Sequence, residues 1–132
     1  MKLEFLKNVS AYDEHVMRLS DFNSSQALMF FGIINRLVRH SDTPVDLNTL
    51  GFIRSVNCNL VLRTAEDDIG ISTEDNINFC CDLTVKSYKA IESLVEPFCK
   101  KESKGYQWLY DIDTPIAFLF SAGKDMPGEA TM

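Results

Sequence analysis

The sequence predicts an α+β domain, one antiparallel sheet of about five to six strands with two main helices packed on one face. Three observations carry this. Two stretches repeat apolar residues at helical spacing, several short stretches alternate with period two, and those stretches follow one another closely enough for a meander. The chain has 132 residues, 45 % hydrophobic, 11 % aromatic and 24 % charged. A chain of that size and make-up buries about two thirds of its unfolded surface and packs a core. No repeat, low-complexity tract or Pro/Gly/Ser-rich linker divides it. Residues 1–132 therefore read as a single domain, with a flexible tail over about 122–132 that has little to bury.

At the start, "KLEF" alternates, and "HVMRLSDF" reads as a strand with Met17 and Leu19 on its buried face. Residues 24–39 predict a helix. Asn23 followed by Gln26 makes a capping-box start, and Ala27, Phe30, Phe31, Ile34, Leu37 and Val38 recur at helical spacing, widened by Met29 and Ile33. Arg36, Arg39 and His40 place positive charge where the helix dipole favours it. "HSDTPVDLNTLG" is a loop by composition.

From Phe52 to Thr64 the period is two, which predicts one long strand. Phe52, Val56, Cys58, Leu60 and Leu62 point inward, and Ser55, Asn57, Asn59 and Arg63 outward. Ile77, Phe79, Cys81 and Leu83 make a second alternating set, and "IGIS" between them a short intermediate strand. Val85, Tyr88, Ile91, Leu94, Val95 and Phe98 predict a second helix, ended or kinked near Glu96 by Pro97. "YQWLYDI" and "IAFLFS" are the last two strands, the first with Tyr106, Trp108, Tyr110 and Ile112 on one face, the second with Ile116, Phe118 and Phe120. The aromatic strands read as core and not as a stacking platform for bases, since no basic groove accompanies them.

The net charge of −6 has an uneven source. Six of the 19 acids, Glu66, Asp67, Asp68, Glu74, Asp75 and Asp82, lie between Thr64 and Val85, where there is no Lys or Arg. The other 13 acids balance the 13 Lys and Arg residues. A local negative segment argues against nucleic acid or an anionic membrane as its partner. The simplest account is a hairpin region kept soluble by its carboxylates. The sharper account is a surface that steers a basic protein partner at rates that fall with salt.

Other chemistry finds little footing. "EDDIGISTEDN" has no Glu at the calcium-loop distance beyond Gly70. There is no CxxC, and adjacent Cys80 and Cys81 point to opposite faces of a strand, which keeps both out of one zinc site. With two histidines, no nucleophile signature and no phosphate-binding glycine loop, neither an enzyme nor a cofactor is expected. Glu102, Ser103 and Lys104 form an acid-x-lysine pattern that, with Asp82, would imitate half of a metal-dependent nuclease site, but they sit in a hydrophilic stretch after Pro97. The longest apolar run, Ala27 to Ile34, is eight residues, against roughly 20 for a membrane span. The opening "MKLEFLKNVSAYDEH" has no secretory apolar region. A cytoplasmic protein is expected, with Cys58, Cys80, Cys81 and Cys99 reduced and acting as small hydrophobic residues.

In length, acidity, single-domain organisation and lack of catalytic motifs, the chain resembles the small cytosolic immunity proteins of bacterial toxin systems, including contact-dependent growth inhibition. The resemblance lies in the whole-chain profile and in no particular motif. It implies a protein that binds a cognate toxin, often a basic nuclease, and occludes its substrate site with acidic side chains. Glu66, Asp67, Asp68, Glu74, Asp75 and Asp82 are then the contact candidates, chosen by charge. The order helix, three strands, helix, two strands is also similar to the dimeric secretion chaperones of type III systems, which hold an effector segment. The chain departs from that pattern by material before the first helix and by having no final helix after Phe120. A third class is an enzyme using Asp67 or Asp68 with a divalent cation. The sequence leaves the oligomeric state open.

Overall fold

The computed structural model describes residues 1–7, 14–112 and 114–123. The opening alternation forms two antiparallel strands, β1 (Lys2–Leu6) and β2 (His15–Ser20), with Leu3 opposite Leu19 and Phe5 opposite Met17. All four side chains are buried in the main core. The first helix, α1, spans Ser24–Arg39 with the expected capping box: Gln26 N–H donates to Asn23 Oδ1 at 2.9 Å, and Asn23 N–H to Gln26 Oε1 at 3.2 Å. A third helix-start donor is met from a distant loop, where Glu102 accepts from Ser24 N–H at 3.0 Å and Ser24 Oγ at 2.7 Å.

After α1 come β3 (Val45–Asp46), a 3-10 turn (Leu47–Thr49), β4 (Arg54–Ser55) and β5 (Asn59–Thr64). The single long strand expected over 52–64 is thus broken. β4 pairs in parallel with β1, while β5 belongs to another sheet. The break is made by Asn57, whose side chain accepts from Phe5 N–H at 2.8 Å and donates to Phe5 C=O at 2.9 Å. Its amide supplies the rung that the backbone would have supplied, so the main chain is released to cross over. Val56 is consequently exposed, not inward as expected.

The remaining elements are β6 (Gly70–Thr73), β7 (Asn78–Leu83), α2 (Val85–Lys100), β8 (Tyr106–Tyr110) and β9 (Ile116–Ser121). The α+β class and both helices stand as predicted. The strands, however, make two sheets instead of one, ordered β4-β1-β2-β9-β8 and β3-β5-β7-β6. Three pairs, β1/β4, β2/β9 and β5/β7, run parallel. Both sheets turn their apolar faces to a common core with the inward stripes of α1 and α2, including Phe30, Ile34, Tyr88, Ile91 and Val95. The helices lie side by side, joined by Asn35 Nδ2 donating to Glu92 Oε2 at 2.8 Å.

Two local expectations are corrected. α2 does not end at Pro97 but runs on to Lys100; Pro97 lies in the last turn, where it removes only one donor, and the Glu96–Lys100 pair at 2.9 Å bridges that turn. In β8, a register shift between Trp108 and Tyr110 separates residues expected on one face. Trp108 packs with Val16 and Leu119 in a small outer cluster, and Tyr110 against the main core. The expected tail lies, from residue 124 onward, outside the described residues.

Candidate functional site: the rim of the four-stranded sheet

β5 and β7 bury Leu60, Leu62, Phe79, Cys81 and Leu83 on one face. Their alternation turns Asn59, Arg63, Asn78, Cys80 and Asp82 outward, with Asn59 opposite Asn78 and Arg63 opposite Asp82. Asn59 Nδ2 donates to Asn78 Oδ1 at 3.0 Å, and Arg63 grips Asp82 through Nε and Nη2, both at 2.8 Å. β6 adds Ser72 beside Cys80. An open depression of about 510 Å³ lies between Arg63, Ser72, Glu74, Asp75, Asn78 and Cys80.

The six carboxylates of the acidic segment separate into two kinds. Asp82 is neutralised by Arg63, whose guanidinium is held above its ordinary pKa chiefly by that hydrogen bond. Asp68 accepts from Thr84 N–H at 2.8 Å and Ser87 Oγ at 2.7 Å, tying the loop before β6 to the start of α2. The Thr84 backbone bond is the main reason its carboxyl sits below the usual range. Asp75 shapes the β6–β7 turn, accepting from the N–H groups of Ile77 at 2.9 Å and Asn78 at 2.8 Å, with Asn76 at a φ of 60°. By contrast, Glu66, Asp67 and Glu74 are exposed and make no hydrogen bond or ion pair with another described residue. Glu66 and Asp67 precede β6 and Glu74 follows it, so the two groups stand at opposite ends of a strand about 13 Å long. Beside them Ile69 and Ile77 are 56 % and 57 % exposed. Ile77 was expected to face inward, but it belongs to the turn and not to the strand that begins at Asn78.

Asp75 gives the rim a measurable acid limit. Donation from Asn78 N–H and Nδ2 and from Ile77 N–H lowers its pKa from 3.8 to about 2. Because the folded value lies below the unfolded one, the stabilisation is complete above about pH 4 and is lost as the pH falls towards 2. Asp75→Ala is expected to melt at a lower temperature than the parent at pH 7, and the two melting curves should converge near pH 2. Thermal unfolding followed by circular dichroism over that range checks it, and a parallel offset at every pH would refute it.

Among the described residues, no three His, Cys, Asp or Glu side chains are placed to hold a metal ion. Glu102 is bound to Ser24 and Asp82 to Arg63, so the nuclease-like pattern is not assembled. Cys80 and Cys81 do face opposite ways, and burial pushes the Cys58 and Cys81 thiols up to about 11 and about 12. His40 is the C-cap of α1, its backbone N–H donating to Arg36 C=O at 2.8 Å. Among the described residues, no helix is long and apolar enough to cross a membrane.

Sequence reasoning took the six acids as equivalent. The turn role of Asp75 has a local signal in Thr73-Glu74-Asp75-Asn76, a run of turn formers. The ties of Asp68 to Thr84 and of Arg63 to Asp82 span 16 and 19 positions and leave no such trace. Compared with protein-family models, with curated proteins and with solved structures, the chain gives no match. The described residues form an α+β fold of two helices and two sheets that carries a polar sheet face with an acidic, partly apolar rim.

Proposed function

We propose that this chain is a non-catalytic binding protein that neutralises a basic protein partner, as an immunity protein neutralises a toxin domain, through the rim formed by Glu66, Asp67, Ile69, Glu74 and Ile77. One observation carries the reading: three carboxylates with no partner among the described residues stand on a loop and a turn that Asp68 and Asp75 hold in place. Charge presented on a pre-ordered frame costs little to organise on binding and favours fast encounter. The exposed isoleucines beside it supply apolar contact, which in protein interfaces gives affinity where charge gives orientation. Glu66 and Asp67 lie before β6 and Glu74 after it, so the rim offers two acidic contact points flanking one strand. The reading places the protein in the cytosol, where its four cysteines stay reduced.

Co-expression with the product of the adjacent gene, followed by affinity measurement at two salt concentrations, tests this. Glu66→Gln, Asp67→Asn and Glu74→Gln combined should weaken the complex by about tenfold or more and flatten its salt dependence, with thermal stability unchanged. An unaltered affinity and salt slope would overturn the proposal.

A further inference from the structure

At the end of the five-stranded sheet where β2 and β9 begin and β8 finishes, there is a cavity of about 220 Å³. Glu14 and His15 line it from the start of β2, Trp108 and Asp111 from the end of β8, and Thr114 and Ala117 from the start of β9. Its charge has one sign. No Lys or Arg lines it, and Glu14 and Asp111 are exposed acids that make no ion pair with another described residue. The stretches that supply the lining, from Asn8 to Met17 and from Gly105 to Gly123, hold the acids Asp13, Glu14, Asp111 and Asp113 and no Lys or Arg at all. Lys7, which follows β1, does not line the cavity. A site of this sign selects a cation.

Which cation follows from spacing, shape and size. Glu14, His15 and Asp111 share the cavity but are not placed to hold one metal ion between them. The carboxylates therefore suit a cation with several donors spread over its width. Trp108 is half-buried, packed against Val16 and Leu119, and also lines the cavity. A planar guanidinium stacks on an aromatic face and directs its N–H groups sideways to carboxylates, which a compact ammonium does less well. A cavity of about 150 Å³ holds a benzene molecule, whereas drug-sized ligands occupy roughly 300–1,000 Å³. The space here is that of one long side chain. It also borders the acidic rim: Thr114 accepts from Ile71 N–H at 3.3 Å, and Glu66 and Asp67 precede that strand.

We propose that this cavity receives one arginine side chain of the basic protein partner, its guanidinium stacked on Trp108 between Glu14 and Asp111. Arginine in a pocket is a common anchor of protein interfaces, and the rim then orients the partner around it. The preference for a guanidinium stands on the cavity alone; that a protein partner supplies it rests on the function proposed above.

Trp108 is the only tryptophan in the chain, so its fluorescence reports on the cavity directly. Titration with N-acetyl-arginine amide at constant ionic strength is expected to give a saturable change, half complete at a concentration on the order of a millimolar. N-acetyl-citrulline amide, which has the shape without the charge, should give none. Glu14→Gln with Asp111→Asn should weaken probe binding about tenfold or more and leave the melting temperature unchanged, since both side chains are exposed. The triple rim variant should bind the probe like the parent. In the complex with the adjacent gene product, the double cavity variant should lower affinity by about tenfold. A response that does not saturate, that citrulline reproduces, or that survives the double variant would overturn the cavity's role. Probe binding that is lost in the double variant while the complex keeps its full affinity would overturn the partner as the source of the arginine and leave the rim untouched. Failure of the rim variants alone would count against the rim and not against the cavity.

Discussion

Gly70→Ala is expected to destabilise the fold by about 3 kcal/mol or more, summing backbone strain and overpacking. Gly70 has a φ of 91°, a conformation that side chains rarely adopt. A Cβ there would stand 2.8 Å from Thr114 Cβ and closer still to Thr114 Oγ1. Thr114 cannot easily withdraw, since its hydroxyl donates to Ile116 C=O at 2.8 Å and accepts from Ile71 N–H at 3.3 Å. Gly70 is where the edge of the four-stranded sheet meets the connection between β8 and β9, so the loss would also loosen the rim. Urea denaturation of Gly70→Ala, Thr114→Ala and the double variant separates the two causes: removing the threonine should relieve the clash and leave the backbone strain. A loss below about 1 kcal/mol in the single glycine variant would show that the approach is not close.

Glu4→Gln should cost about 3 to 5 kcal/mol, the penalty of stranding a buried charge. Arg18 and Glu4 face each other across β1 and β2, with side chains only 7 % and 13 % exposed. Arg18 Nε donates to Glu4 Oε1 at 3.1 Å, and Nη2 donates to the same oxygen. Arg18 Nη1 is buried without a hydrogen-bond partner among the described residues, where the guanidinium depends on this one carboxylate. Replacing both, as Glu4→Leu with Arg18→Met, should be near neutral or stabilising, because apolar packing avoids two desolvation costs. Denaturant midpoints of the three proteins decide it. If the double replacement costs as much as Glu4→Gln, the pair contributes more than mutual compensation.

Elements whose signals are local were legible in the sequence. α1 is bounded by Asn23 and Gln26 at one end and by His40 at the other, and its residues match the predicted span. β9 matches its expected span Ile116–Ser121, and β8 starts at Tyr106 as expected but ends at Tyr110, two residues early. The division into two sheets was not legible. Period two continues from Phe52 to Thr64 in the sequence, yet the chain changes sheets at Asn57, whose partner Phe5 lies 52 positions away. Parallel pairing is hidden for the same reason, since β2 meets β9 through contacts about a hundred positions apart. In the acidic segment the charge was plain, but which carboxylates are tied down within the fold depended on Thr84, Ser87 and Arg63.

The position of β9 between β2 and β8 governs how the molecule comes into being. During synthesis the first hairpin emerges with the inner edge of β2 unsatisfied, and the strand that closes it is the last of the described elements to be made. The five-stranded sheet therefore cannot be completed until residue 121 has cleared the ribosome, and until then the nascent chain carries an open strand edge available for mispairing.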